Sequence, residues 1–149
     1  MNDQTIAGRL LGRWDLVEFA EIDPAGERLH VLGRDATGFI AYGIDGWVSV
    51  QMMASGRTAY DGTSVDGGTP QQSAEAAASY LAYAGRYTVD EGARMVVHHV
   101  ELSLQPNWVG HAMPRHVRFE GARGLVLTAP MSPTTGKTTV ITWRRPNDT

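Results

Sequence analysis

The segment from residue 98 to residue 110, HHVELSLQPNWVG, places acid–base side chains in an otherwise apolar strand pattern. Glu101 in an apolar cavity would have a raised pKa, because burial penalises the charged carboxylate, and it would become a general acid or base near neutral pH. Glu18 has the same potential, and His99 is suited to moving a proton. We therefore name Glu101, His99 and Glu18 as candidate catalytic residues for cofactor-independent isomerisation, cyclisation or dehydration.

The two-residue period of a β-strand divides this segment between two faces. His98 shares one face with two valines, Val96 and Val100. His99 and Glu101 lie on the other face. Adjacent histidines on opposite faces cannot bind one metal ion together, and the chain has no cysteine, so we expect no metal site. Hydrogen bonding is the expected role of the pair formed by His99 and Glu101.

Two inside–outside arrangements of the strands are open at this point. In the first, the apolar faces point inwards, His98 is a hydrogen-bonded core residue and the pocket is apolar. In the second, the polar faces point inwards and line a polar lumen with Ser49, Gln51, His99, Glu101 and Arg118. The second arrangement leaves an apolar outer surface, which must be covered by the Ala-rich helix or by a second subunit, and it therefore predicts a homodimer.

Residues at the strand ends are less sensitive to this choice. Asn107 and Trp108 follow Pro106, which stops the strand, so they are expected at the mouth of a barrel as an amide for orientation and an indole for stacking. Trp108 is equally suited to plugging the rim, and tyrosines lie more often in a core or rim than in a site. The candidate ligand-binding residues are Gln51, Tyr42, Tyr87, His98, Asn107, Trp108 and Arg118.

Hairpin-linked strands are the elements that would position these side chains. Strand patterns occur at 14–22, 37–42, 47–53, 83–89, 94–104, 115–120, 125–128 and 138–145. Thr69, Pro70 and Gln72 form a capping-box pattern, which predicts a helix from Pro70 to about Ala82 whose small-residue face packs on the sheet. Eight or slightly more such strands favour an all-β, antiparallel up-and-down barrel with one Ala-rich helix, because closure removes exposed edges.

Composition restricts the classes of partner. A chain of 149 residues fits one domain, which we place at 1–149. The net charge is only −3 and no basic stripe occurs, so we expect no nucleic-acid partner. The chain has no run of about 18 apolar residues and no secretion-signal pattern at its start, so we expect no membrane contact and a cytoplasmic location.

Five blocks of sequence, taken in order, resemble the small bacterial and fungal lipocalin-like domain family. They are Leu11-Gly-Arg-Trp-Asp-Leu-Val, Gly38-Phe-Ile-Ala-Tyr42, Asp45-Gly-Trp-Val-Ser-Val-Gln-Met52, Tyr80-Leu-Ala-Tyr-Ala-Gly-Arg-Tyr87, and His98-His-Val-Glu101 with Pro106-Asn-Trp-Val-Gly110. The resemblance implies an eight-stranded barrel with a ligand-sized interior. Family members often occur among genes for secondary metabolism, and related barrels include cyclases and isomerases that need no cofactor. The sequence departs from the expected small polar residue at Glu18, which implies a more acidic pocket.

Three functions are compatible with these patterns. The first is a barrel that binds one hydrophobic or amphipathic small molecule and catalyses its isomerisation, cyclisation or dehydration. The second is a non-catalytic carrier or sensor of such a ligand. The third is a dimerisation module with no cavity. Replacement of Glu18, Glu101 or His99 distinguishes the first two, because a carrier keeps its ligand affinity while an enzyme loses turnover.

Overall fold

The computed structural model describes residues 4–147, and residues 1–3 and 148–149 lie outside the described range. Two short α-helices and one 3-10 turn accompany the strands: α1 is Ile6–Leu10, α2 is Pro70–Ala78 and the 3-10 turn is Pro106–Trp108. The strands are β1 (Gly12–Ile22), β2 (Arg28–Leu29), β3 (Thr37–Tyr42), β4 (Trp47–Met53), β5 (Tyr80–Asp90), β6 (Met95–Ser103), β7 (Ala112–Glu120), β8 (Gly124–Thr128) and β9 (Thr138–Arg144).

The strands close into a barrel. Each strand from β3 to β9 pairs antiparallel with the next one, and β1 pairs with both β3 and β9, which joins the two edges of the sheet. The short strand β2 adds to the outer part of β1 and is the one strand, within the described range, beyond the eight of the barrel. The prediction of an antiparallel up-and-down barrel of eight or slightly more strands is confirmed.

The apolar faces of the strands point into this barrel. His98 is the buried polar residue among the described side chains, and it lies between the buried Val96 and Val100 on β6. Gln51 is half-buried and His99, Glu101 and Arg118 are exposed, all on the outer faces. The arrangement with a polar lumen is therefore wrong, and the argument for a homodimer that rested on it falls with it.

One end of the barrel is closed by α1. Ile6 and Leu10 of this helix are buried, and the Trp14 indole Nε1 donates a hydrogen bond to the Leu10 carbonyl at 2.9 Å. The Glu91 carboxylate in the β5–β6 turn accepts hydrogen bonds from the backbone N–H groups of Ile6 and Ala7 at 2.7 and 3.0 Å. These bonds satisfy N–H groups that a helix start leaves without partners, and they fix α1 across this end.

The second helix differs from its prediction. Its capping box is present, because the Thr69 side chain accepts from the Gln72 N–H and the Gln72 side chain accepts from the Thr69 N–H. The helix ends at Ala78 rather than near Ala82, since Tyr80 and Leu81 pair with Met53 and Met52 and start β5. None of its residues is buried, so it does not pack a face on the sheet. Neither α-helix in the described range reaches the length and hydrophobicity needed to cross a bilayer.

Candidate ligand-binding cavity

A cavity of about 610 Å³ occupies the barrel interior and opens at the end opposite α1. This volume lies in the usual range of pockets for small organic molecules, about 300–1,000 Å³. The deep wall is formed by inward side chains of the strands, chiefly Phe19, Ile40, Val50, Met52, Leu127 and Ile141. The mouth is formed by the loop ends, chiefly Leu32, Ala78, Tyr80, Gln105, Trp108 and Met131.

The inner wall carries a histidine held between two tyrosines. The Tyr42 hydroxyl lies 2.7 Å from His98 Nε2, and the Tyr83 hydroxyl lies 2.6 Å from His98 Nδ1. Burial is the main cause that lowers the His98 pKa to about 3, with smaller electrostatic contributions from Arg115 and His99. Burial raises the Tyr83 pKa to about 12. His98 is therefore neutral near neutral pH, and Tyr83 keeps its proton.

Counting protons assigns the direction of these two hydrogen bonds. A neutral imidazole carries one N–H donor and one acceptor nitrogen, so one tyrosine donates to His98 and the other accepts from it. Tyr42 does not line the cavity, and His98 is its hydroxyl partner among the described residues, so we assign Tyr42 as donor to Nε2. The Nδ1–H then donates to Tyr83, whose own O–H is left to face the cavity that it lines.

Arg115 is an inward cation that the sequence analysis missed. It shares its face of β7 with Val117 and Phe119, which pack in the core, and it lines the cavity. Its guanidinium donates to the adjacent Pro114 carbonyl at 2.9 Å and contacts Met113 Sδ at 3.9 Å. No acidic side chain in residues 4–147 forms an ion pair with it. The two-residue period that placed Arg118 on the opposite face was the signal that could have found Arg115.

Trp143 carries a buried hydrogen-bond donor that has no partner among the described residues. Its side chain is 1% exposed, lines the cavity, and its indole Nε1 has no hydrogen-bond partner among the described residues. A buried N–H group without a partner costs free energy, so a ligand oxygen that accepts from it stabilises the complex. Tryptophan was not singled out at this position by the sequence patterns, since β9 reads as an ordinary apolar strand.

The predicted catalytic residues lie outside this cavity. Glu101 is exposed beside Arg86, with 3.8 Å between carboxylate and guanidinium, and His99 Nε2 lies 3.0 Å from the Thr88 hydroxyl on the outer surface. Glu18 forms an ion pair with Arg28 at 2.7 Å and a hydrogen bond with His30 Nε2 at 3.0 Å, and it does not line the cavity. The hydrogen bond from His30, opposed by burial and aided by Arg28, lowers the Glu18 pKa. The structure thus does not bring these three residues together.

The candidate ligand-binding residues divide between cavity and exterior. His98 and Trp108 line the cavity, whereas Tyr42 lies behind His98. The Tyr87 hydroxyl donates to the Gly43 carbonyl at 2.8 Å and does not line the cavity. The remaining three point away from the cavity: Gln51 accepts from the Tyr80 hydroxyl at 2.7 Å, Asn107 is exposed and Arg118 pairs with Glu120 at 2.6 Å.

The polar groups described above are suited to an organic ligand. No three histidine or carboxylate side chains of the described segment converge in the manner of metal ligands. Among the groups that line the cavity, the Tyr83 hydroxyl, the Arg115 guanidinium and the Trp143 indole can donate hydrogen bonds to a ligand. One acidic side chain, Glu21, also lines the cavity, and its carboxylate lies 3.9 Å from Lys137 Nζ. This arrangement offers hydrogen-bond donors to oxygen atoms of a guest that is otherwise surrounded by apolar side chains.

Sequence similarity relates this chain to a known domain family and to a named carrier protein. A family model described as a lipocalin-like domain matches residues 11–146. The 4'-hydroxy-3'-methoxypropiophenone carrier protein ppsC of Aspergillus oryzae is 39% identical over 80 residues, which cover 50% of this chain and 72% of that protein. Among solved structures, a redesigned β-barrel has a TM-score of 0.46 at 12% identity, with 95% of each chain covered. A mutant of the fluorescent protein UnaG has a TM-score of 0.45 at 12% identity, with 96% of this chain and 100% of that chain covered.

Proposed function

This chain belongs to the lipocalin-like domain family, and we propose that it is a non-catalytic carrier that binds one small, largely apolar aromatic molecule inside its barrel. The observation that carries the proposal is the cavity of about 610 Å³, whose walls are mainly apolar and include hydrogen-bond donors such as the Trp143 indole. Burying an aromatic ring against such walls supplies affinity, at roughly 25 cal/mol for each Å² of apolar surface removed from water. The donors then fix the orientation of the ligand oxygens.

The relative from Aspergillus oryzae supports this class of ligand. Its name describes a carrier of 4'-hydroxy-3'-methoxypropiophenone, which is an aryl ketone with three oxygen atoms on a small apolar frame. A molecule of this kind matches the cavity in chemistry, since its ring suits the apolar wall and its oxygens suit Tyr83, Arg115 and Trp143. We therefore take this ketone as the probe for the present protein.

The acid–base residues named from the sequence do not enter this proposal. The Glu101 and His99 side chains lie on the outer surface, away from the cavity. His98, which does line the cavity, is a hydrogen-bonded neutral imidazole whose pKa of about 3 makes it a poor base at neutral pH. The side chains that line the cavity therefore favour ligand binding as the function. The positions of Glu101 and His99 and the low pKa of His98 argue against catalysis by proton transfer.

Titration with the aryl ketone tests the proposal. Trp108 and Trp143 line the cavity, so we expect bound ketone to quench tryptophan fluorescence with a stoichiometry of one. Ala129→Phe fills part of the cavity and is expected to weaken binding by more than about tenfold, a loss of about 1.4 kcal/mol. Ala122→Phe, at an exposed turn residue, is the matched control. Equal binding by all three proteins, or no binding by the wild type, would overturn the proposed function.

A further inference from the structure

We propose that Arg115 binds an ionised oxygen of the ligand, so that the cavity takes the phenolate form of a hydroxyaryl molecule. This inference rests on the proposed function, because it names the chemical form of the guest in the same cavity. The proposed contact is between Arg115, which points inwards from β7, and the end of the ligand that carries the ionised oxygen. The apolar remainder of the ligand would contact the walls already described.

The state of Arg115 is the first observation. A guanidinium carries five N–H donors and a fixed positive charge, and a charge inside a protein is normally paired with an opposite charge. In the described part of the chain, Arg115 instead donates to the neighbouring Pro114 carbonyl and contacts the Met113 sulfur. Neither contact supplies a negative charge. The guanidinium therefore retains donors and an uncompensated charge that face the cavity.

Tyr83 is the second observation, and it is independent of the first. With Tyr42 assigned as the donor to His98, the Tyr83 O–H has no acceptor among residues 4–147 and is free to donate to a ligand in the cavity that Tyr83 lines. Arg115 lines the same cavity as Tyr83 and His98, and its positive charge opposes the rise of the Tyr83 pKa and adds to the fall of the His98 pKa. An anionic oxygen beside Arg115 would thus receive a charge-assisted bond and a hydroxyl bond together.

The other titratable groups facing this region leave the charge of Arg115 uncompensated. His98 on β6 is neutral, and burial keeps Tyr83 on β5 and Tyr42 on β3 protonated by raising their pKa values. Glu21 on β1 lines the cavity near its mouth and lies beside Lys137. A negative ligand group is repelled by Glu21 and attracted by Arg115. The two side chains therefore orient the ligand with its ionised oxygen towards β7.

The expected consequence is a shift in the ionisation of the ligand. A hydroxyaryl ketone releases its phenol proton to solvent when it binds as the phenolate, so its apparent pKa falls in the complex. Its phenolate absorbs at longer wavelength than the phenol, which makes the bound form visible directly. A fall of at least about one pKa unit, equivalent to tenfold in the ionisation constant, is expected from pairing with the positive charge of Arg115.

The experiment titrates the pH of the wild-type complex with 4'-hydroxy-3'-methoxypropiophenone, reading the phenolate absorbance, and repeats this with variants at two arginines of β7. Arg115→Gln should abolish the shift and weaken ketone binding at least about tenfold, a loss of about 1.4 kcal/mol. Arg115→Lys keeps the positive charge and should retain part of the shift. Arg118→Gln, on the outer face of the same strand and 63% exposed, should leave both readouts unchanged.

A methyl ether of the same ketone separates this inference from the proposed function. The ether cannot ionise, so it should bind the wild type more weakly than the phenol, and Arg115→Gln should not weaken it further. If the phenol and the ether bind equally, with no red shift and no effect of Arg115→Gln, the phenolate inference is overturned while the carrier function stands. If neither compound binds the wild type, both proposals are overturned. Fluorescence quenching by the ether in Arg115→Gln also shows that the variant keeps its cavity.

Discussion

Two buried tryptophans differ in how the protein treats their indole N–H groups. Trp14 and Trp143 are each 1% exposed. At the closed end, Trp14 donates to the Leu10 carbonyl, and the Arg145 guanidinium lies 3.7 Å from the centroid of its ring. Trp143 lines the cavity, and its N–H has no acceptor among residues 4–147. The fold thus supplies a hydrogen-bond acceptor for the indole N–H at the closed end. For the indole N–H in the cavity, the described residues supply none.

Two arginines show the same contrast. Arg145 donates to the backbone carbonyls of Arg9 and Arg13 at 2.8 and 3.2 Å, which ties the end of β9 to α1 and β1. The Arg115 guanidinium forms hydrogen bonds only to its neighbours in sequence, within the described range, and faces the cavity. The closed end therefore uses its polar groups to hold the fold together. The cavity contains polar groups whose hydrogen-bonding capacity a bound ligand would satisfy. Substitutions at the closed end should therefore change the free energy of unfolding, and substitutions in the cavity should change ligand affinity.

His98 tests this contrast most strongly, because it lines the cavity and yet both of its nitrogens are hydrogen-bonded. His98→Leu leaves two buried tyrosine hydroxyls without their partner, and we expect the free energy of unfolding to fall by about 2–5 kcal/mol. Urea denaturation measures this loss. His99→Leu, at the exposed neighbour on the outer face, should change stability by less than about 0.5 kcal/mol. Similar losses in both variants would show that His98 is not structural.

The pH dependence of stability gives a second test of His98. Its pKa of about 3 in the folded protein lies below the ordinary value of 6.5, so the unfolded chain binds this proton first as the pH falls. The contribution of His98 is complete above about pH 6.5 and is lost as the pH falls towards 3, by up to about 1.4 kcal/mol for each pH unit. Denaturant unfolding between these pH values should therefore show a steeper acid loss in the wild type than in His98→Gln.

The order of the strands could be predicted from the sequence, whereas the choice of which strand faces point into the barrel could not. Hairpin turns and strand lengths determine the antiparallel order, because each pairing within the eight-stranded barrel, apart from the closing pair of β1 and β9, joins consecutive barrel strands. Which face points inwards was undecided, since β6 carries polar residues on both faces. A bulge opposite Ala84 and Gly85 complicates the pattern further, and leaves Leu102 67% exposed although it shares the period of His98. A Cβ at Gly85 would lie 1.8 Å from the His99 carbonyl oxygen, so this close approach requires glycine.

The cavity residues were harder to predict for a different reason. Arg115 was on the inward face by simple alternation, but arginine is so often exposed that its residue type argued against an interior position. Trp143 looks like any apolar strand residue until its lack of a hydrogen-bond partner is known. Both facts depend on which distant groups surround a side chain. Periodicity within one strand does not contain that information.

The closed end should respond to loss of its tryptophan hydrogen bond. Trp14→Phe removes the bond to the Leu10 carbonyl and weakens the stacking of Arg145, so we expect a loss of about 1–2 kcal/mol in the free energy of unfolding. Thermal and urea unfolding measure the loss. Binding of the aryl ketone, measured at a temperature where the variant is folded, should be unchanged. A large fall in affinity with no loss of stability would contradict the assignment of this end to the fold.

Trp143→Phe is the matched change in the cavity, and its expected effect on stability is the smallest. The substitution removes an N–H that has no partner in the described structure, so the free energy of unfolding should change by less than about 0.5 kcal/mol or rise slightly. Affinity for the aryl ketone should fall by about fivefold, because a neutral hydrogen bond to a ligand oxygen contributes about 1 kcal/mol. Unfolding of the free protein and fluorescence titration of the complex, which Trp108 still reports, measure the two effects separately. A clear loss of stability without a loss of affinity would show that the Trp143 N–H serves the fold, as that of Trp14 does, and would remove the distinction between the two ends.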